Sequence, residues 1–142
     1  MRHVEATLRA ARPEDASRIS VLLEQLGWAV TPDKVAAELS ASPTTEIVVA
    51  ESDGDVVGLI AVTTRRQFQR AGNLITIDTL VVDEAHRSHG IGERLVGVAL
   101  EAAARCSAQA VEAVSHHRRV DARRFYERLG FEVTSNYFVR TP

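Results

Sequence analysis

The feature that most constrains this chain is one apolar run together with the bend and helix after it. Leu74-Ile75-Thr76-Ile77-Asp78-Thr79-Leu80-Val81-Val82 carries nine residues rich in β-branched and aliphatic side chains. A strand with so few polar positions has to be covered on both faces, which a lone hairpin or an open antiparallel ribbon cannot do. The run leads through Asp83-Glu84-Ala85-His86-Arg87-Ser88-His89-Gly90-Ile91-Gly92 into Glu93–Ala104. There Leu95, Val96, Ala99, Leu100 and Ala103 recur at the spacing of one helix face. A buried strand that turns directly into an amphipathic helix belongs to a layered α/β fold, neither a helix bundle nor a sandwich.

The rest of the sequence supplies matching elements. Ala6–Ala10 alternates as a short strand, and Pro13-Glu14-Asp15 starts a helix with Ile19, Leu22, Leu23 and Leu26 on its inner face, closed by Gly27. Thr31-Pro32-Asp33 starts a second helix, carrying Val35, Ala36 and Leu39 and ended by Pro43. Glu46–Ala50 and Val56–Val62 are strands joined by the turn Asp53-Gly54-Asp55, and Arg65–Gly72 reads as a polar connection. Ala110–Val114 is a further strand, Asp121–Leu129 a helix stopped by Gly130, and Phe131–Val139 a terminal strand pair or one bent strand. The order is β-α-α-β-β-β-α-β-α-β(β), a mixed, mostly antiparallel sheet with helices on both faces. At 142 residues this is a single domain over residues 1–142.

The bend at 87–92 has a chemistry of its own. In Arg87-x-x-Gly90-x-Gly92 the glycines let backbone approach a ligand without Cβ atoms in the way. The first amides of the succeeding helix have no carbonyl one turn back and lie at the positive end of its dipole, so they suit a phosphate or diphosphate. Arg87 adds charge at the rim. The spacing is not the Gly-x-Gly-x-x-Gly of a dinucleotide site, and the Lys of a P-loop is missing. In the later helix, Phe125 and Leu129 form a core face, Gly130 is a left-handed cap, and Tyr126 stands beside that face with a hydroxyl in need of a partner.

With Arg87-x-x-Gly90-x-Gly92 and Ala122-x-x-Phe125-Tyr126-x-x-x-Gly130-Phe131 in order and the expected strands between them, the chain resembles the GNAT superfamily of N-acetyltransferases over essentially its whole length. The resemblance implies acetyl-CoA as cosubstrate, lying where the strand ending at Val82 splays from the strand ending near Val114. It implies that backbone groups of Leu80, Val81 and Val82 pair with the pantetheine arm and polarise the thioester carbonyl. Arg87 and the amides of Ser88, His89, Gly90, Ile91, Gly92 and Glu93 would hold the diphosphate, and Tyr126 would protonate the departing thiolate. The acceptor would be a primary amine, of a small molecule or of a protein Lys or N-terminus.

The match has gaps. The family's Asn seven residues before the tyrosine is Arg119 here, and the usual carboxylate slots hold Thr76 and Val114. Asp78 is the substitute base, with Glu112, His116 or water as alternatives. The missing Asn leaves open an acyl-CoA-binding sensor or accessory domain without catalysis, and a longer acyl group is a further alternative. Trp28 and the basic stretch Arg65-Arg66-Gln67-Phe68-Gln69-Arg70 either line the acceptor cleft or serve as packing and solvated hairpin.

Other classes are disfavoured. A net charge of −2 gives no basic surface for nucleic acid, and no apolar run is long enough for a membrane span. His86, His89, His116 and His117 lack the carboxylate or Cys that would complete a metal set, so no metal is expected. The single cysteine, Cys106, reads as a small apolar residue and agrees with a reducing compartment; with no apolar leader at the start, the expectation is a cytoplasmic protein. A homodimer joined through the terminal strands is compatible with the resemblance.

Overall fold

The computed structural model describes residues 5–41, 44–115, 120–134 and 137–142. One five-stranded sheet runs in chain order: β1 (Thr7–Ala10), β2 (Thr45–Ser52), β3 (Asp55–Gln67), β4 (Gly72–Val82) and β5 (Ala110–Ala113). Neighbours are antiparallel except β4 and β5, which run parallel through the crossover helix α3 (Ile91–Cys106). Helices α1 (Ala16–Gln25) and α2 (Pro32–Ala41) follow β1, and α4 (Val120–Arg128) follows β5.

The sheet is apolar on both sides, as the run at 74–82 requires. On one face Val57, Ile60, Val62, Ile75 and Ile77 pack against Ile91, Leu95, Val96 and Ala99 of α3, with Phe125 and Tyr126 of α4 and Leu129 just after it at the margin. On the other, Val49, Leu59 and Val81 meet Ile19 and Leu22 of α1 and Val35 of α2. At about 25 cal/mol per Å² of apolar surface removed from water, these two layers are the main source of stability.

The layered α/β class is as the sequence indicates, and three details differ. The polar stretch at 65–72 is not a loose connection: β3 runs to Gln67 and pairs Arg65 with Leu74 and Arg66 with Asn73, so the hairpin closes on the single 3-10 turn Phe68–Arg70. Cross-strand pairing of an exposed arm outweighs its polar composition. The inner face of α3 uses Ala102, whereas Leu100, expected inside, is half exposed. That helix also begins at Ile91, two residues before the expected Glu93, because Gly90 caps it.

The expected terminal strand or strand pair at Phe131–Val139 is not formed among the described residues, and the sheet ends at β5. Phe131 is held back on α4, its amide donating to the Tyr126 carbonyl at 3.0 Å. Val133, Tyr137, Phe138 and Val139 are exposed, with no second layer over them among the described residues. High β-propensity needs a packed face to express itself, and the described residues offer none.

Candidate active site

Strand β4 positions the site by parting company with β5. Its pairing with β5 runs only from Leu74 opposite Ala110 to Ile77 opposite Ala113, while β4 itself continues to Val82. Beyond Ile77 the only strand it pairs with among the described residues is β3, with Leu80 opposite Ile60 and Val82 opposite Gly58. The β5-facing edge of Leu80–Val82 is therefore not paired with a strand among the described residues. The separation has a local cause. Val62 pairs with Ile77 and Ala61 with Thr79, so Asp78 is the extra residue of a β-bulge, which bends a strand and ends regular pairing.

Past Val82 the chain makes a 3-10 turn at Glu84–His86 and reaches α3 through Ser88 and Gly90, both in the left-handed region at φ +68° and +81°. Gly90 suits that conformation, and nothing lies within 4 Å of where its Cβ would stand. The first helical bond of α3 is from the Arg94 amide to the Gly90 carbonyl at 3.2 Å, which leaves the preceding amides aimed out of the helix end. Gly92 serves differently from the sequence expectation. A Cβ there would meet Cε1 and Cζ of Phe125, each at 3.2 Å, so the missing side chain is a seat for α4. Arg87 is exposed, with Nε donating to the Val82 carbonyl at 3.0 Å.

That seat fixes Phe125, and Tyr126 is its neighbour on α4. Its ring stands edge-on to Phe125 and to Phe131, both with centroids 5.3 Å away. Burial pushes the phenol up to about 12, so it remains a neutral hydrogen-bond donor at any ordinary pH.

The carboxylates named from sequence alternate with the α3-facing Ile75 and Ile77 or pair with Thr76 between them, and so lie on the opposite sheet face. Asp78 is exposed and accepts a hydrogen bond from Thr63 Oγ1; Thr63 in turn lies 3.1 Å from Thr45 Oγ1. Glu112 accepts from Thr76 Oγ1 at 2.8 Å and from Arg65 at 3.2 Å. Trp28, in the α1–α2 connection, is 64% exposed. His116, His117 and Arg119 lie outside the described residues.

A further group escaped the sequence reading. Asp83, only 7% exposed, accepts from Gln25 Nε2 at 2.8 Å, Arg18 Nη2 at 3.2 Å and the Ala85 amide at 3.3 Å, and lies 2.9 Å from His86 Nδ1. Gln25 first and His86 next hold its carboxyl down to about 2. Only its position at a strand end hinted at this, because its partners on α1, Gln25 and Arg18, are 58 and 65 positions away in sequence.

Comparison with known proteins agrees with this architecture. Residues 6–131 match the Acetyltransferase (GNAT) family, and the chain belongs to that family. It is 30% identical over 138 residues to the aminoalkylphosphonate N-acetyltransferase of Salmonella typhimurium, covering 94% of this chain and 89% of that one. Among solved structures, an aminoglycoside N-acetyltransferase in complex with CoA superposes with a TM-score of 0.86 at 14% identity, over 99% of this chain and 97% of that one. Glucosamine-6-phosphate N-acetyltransferase from Arabidopsis thaliana gives 0.82 at 20% identity, over 96% and 97%. The chain is thus an N-acetyltransferase of a family that uses acetyl-CoA.

Proposed function

We propose that this enzyme acetylates the primary amine of a small molecule by direct transfer from acetyl-CoA. The observation that carries the reading is the continuity of the β4 edge at 80–82, without a strand partner on its β5 side among the described residues, with the outward-facing amides at the start of α3. One backbone surface thereby offers strand-type partners for an amide-containing arm and, further along, donors for a diphosphate. The open space over Gly90 fits such a group.

Bound acetyl-CoA would supply an acyl group already activated as a thioester. The chain's own residues would supply alignment and proton management. Leu80, Val81 and Val82 orient the arm and aim an N–H at the thioester oxygen, where negative charge builds as the amine attacks. Arg87, Ser88, His89, Gly90, Ile91, Gly92 and Glu93 anchor the diphosphate. An amine with a pKa around 10 is mostly protonated at neutral pH, so a base has to remove a proton before its lone pair forms the C–N bond. Asp78, exposed at the bulge where the β4–β5 pairing ends, takes that role directly or through water. As the C–S bond breaks, Tyr126 donates its proton to the sulfur. No covalent enzyme intermediate is needed, so Cys106 has no part in the chemistry.

The small-molecule acceptor draws support from the Salmonella relative, whose name describes an amine carried on a phosphonate. Arg65, beside Glu112 at the mouth of the same sheet face, is a cation that could meet such an anion. The test is thiol release from acetyl-CoA with an aminoalkylphosphonate, the same amine without its phosphonate, and a lysine peptide. Turnover of the small amines and none of the peptide is expected. Turnover confined to the peptide contradicts the acceptor class, and no thiol release over a broad amine panel contradicts the enzyme reading.

A further inference from the structure

The connection from Val82 to Gly90 precedes and shapes the bend that would hold the diphosphate, yet its latter part is exposed and touches little. Ser88, His89 and Gly90 all face solvent. One carboxylate fixes its first half to the body. Asp83 is anchored by its own amide, which donates to the Val57 carbonyl at 2.7 Å. Its side chain gathers donors from two directions: Arg18 and Gln25 on α1, and the Ala85 amide and His86 on the turn itself. Gln25 closes the loop by using its carbonyl oxygen to accept from the Glu84 amide at 3.1 Å. Arg18 adds a bond from Nε to the Val56 carbonyl at 2.8 Å.

A carboxylate buried at a surface turn is costly unless its lone pairs are filled, and a filled set admits only a narrow range of geometries. Burial with four donor groups therefore fixes the turn relative to α1. Residues far apart in sequence contribute, so the arrangement is more than the local cap that an Asp at a turn start ordinarily provides.

Resting on the acetyl-CoA reading above, we propose that Asp83 is a positioning residue for cofactor binding, clamping the β4–α3 connection to α1 through Gln25, Arg18 and His86 so that the amides at 88–93 are presented in register. The clamp makes diphosphate affinity depend on α1, a helix that never touches the diphosphate.

The decisive variant is Gln25→Met, which keeps the stem and the helix propensity and deletes both hydrogen bonds. Calorimetry with CoA, and steady-state kinetics with acetyl-CoA varied, are run on the parent, Gln25→Met, Asp83→Asn and the double variant. Losing one or two bonds to a charged hub should raise the CoA Kd and the acetyl-CoA KM by about five- to twentyfold, with kcat at saturation within about twofold. The double variant should add little to Asp83→Asn, because both changes open one clamp. Unchanged Kd and KM in a folded Gln25→Met, with or without a lower melting temperature, would overturn the proposal and leave the hub purely structural. A loss in kcat alone would overturn it too. Should Asp83→Asn fail to fold, the Gln25→Met comparison still decides. If the parent binds no CoA, both this inference and the acetyl-CoA reading fall; if the parent binds and Gln25→Met binds equally, only this inference falls.

Discussion

Replacing Gly92 by alanine tests whether the bend and the tyrosine helix act as one unit. The new Cβ would stand 3.2 Å from Cε1 and Cζ of Phe125, whereas carbon contacts are at their best at about 3.5–4.0 Å. The ring therefore has to retreat by roughly 0.3–0.8 Å. Overpacking of this kind costs about 1–3 kcal/mol, offset by up to about 1 kcal/mol from the better helix propensity of alanine. Net destabilisation should be about 0–3 kcal/mol, read from urea denaturation. Catalysis should suffer more. Tyr126 adjoins Phe125 on the helix and packs edge-on against it, so the phenol moves with the ring. Because a misplacement near 1 Å can cost about a hundredfold, a shift of half that should lower kcat roughly tenfold. CoA affinity should fall less than about threefold, since the methyl faces Phe125 and not the outward amides. Adding Phe125→Leu, which returns the space, should restore much of the kcat. An alanine variant with parental kcat, or a loss that Phe125→Leu leaves untouched, would refute the coupling.

Other expectations concern single groups. Tyr126→Phe keeps both ring contacts and should lower kcat by about 10²–10³ while leaving the CoA Kd and melting temperature near parental values; equal turnover by both proteins would remove Tyr126 from the mechanism. With the phenol near 12, no alkaline limb of the parent's rate profile below pH 11 should belong to it. Asp83 is depressed from 3.8 to about 2, so its contribution to stability is present above pH 4 and lost as pH falls through 2. The stability gap between parent and Asp83→Asn should accordingly be flat from pH 5 to 7 and close between pH 4 and 2; a gap that widens on acidification would contradict the assigned contacts. Arg9 makes a bidentate pair with Asp15 at 2.8 and 2.9 Å and a further bond to Glu51 at 2.6 Å. Arg9→Ala leaves the buried Asp15 carboxylate without its bidentate cation, keeping the Arg12 amide at 2.8 Å, and should cost about 2–4 kcal/mol in denaturant unfolding.

The range of the forces involved decides which features are legible in the sequence. The covered strand at 74–82, the helical face at Leu95, Val96 and Ala99, and the left-handed cap at Gly130 rest on local pattern and backbone preference, and each appears in the structure. Helical spacing also places Phe125 and Leu129 inward, without revealing that the Phe125 ring needs the space left at Gly92. The bulge at Asp78 depends on how β3 and β4 register, which no single strand encodes. The Asp83 hub joins α1 to the end of β4 across 58 residues, so neither periodicity nor a motif could signal it. The terminal segment misleads for the opposite reason: Val133, Tyr137, Phe138 and Val139 have strand propensity but, among the described residues, no layer to pack on.

Backbone amide exchange with and without CoA tests the central claim most directly, since it reads the strand edge and the helix start in one experiment. The account predicts slowed exchange on CoA addition at residues 80–82 and 88–93, with β1 and β2 unaffected. Protection that spares both segments, or that appears only elsewhere on the sheet, would contradict it.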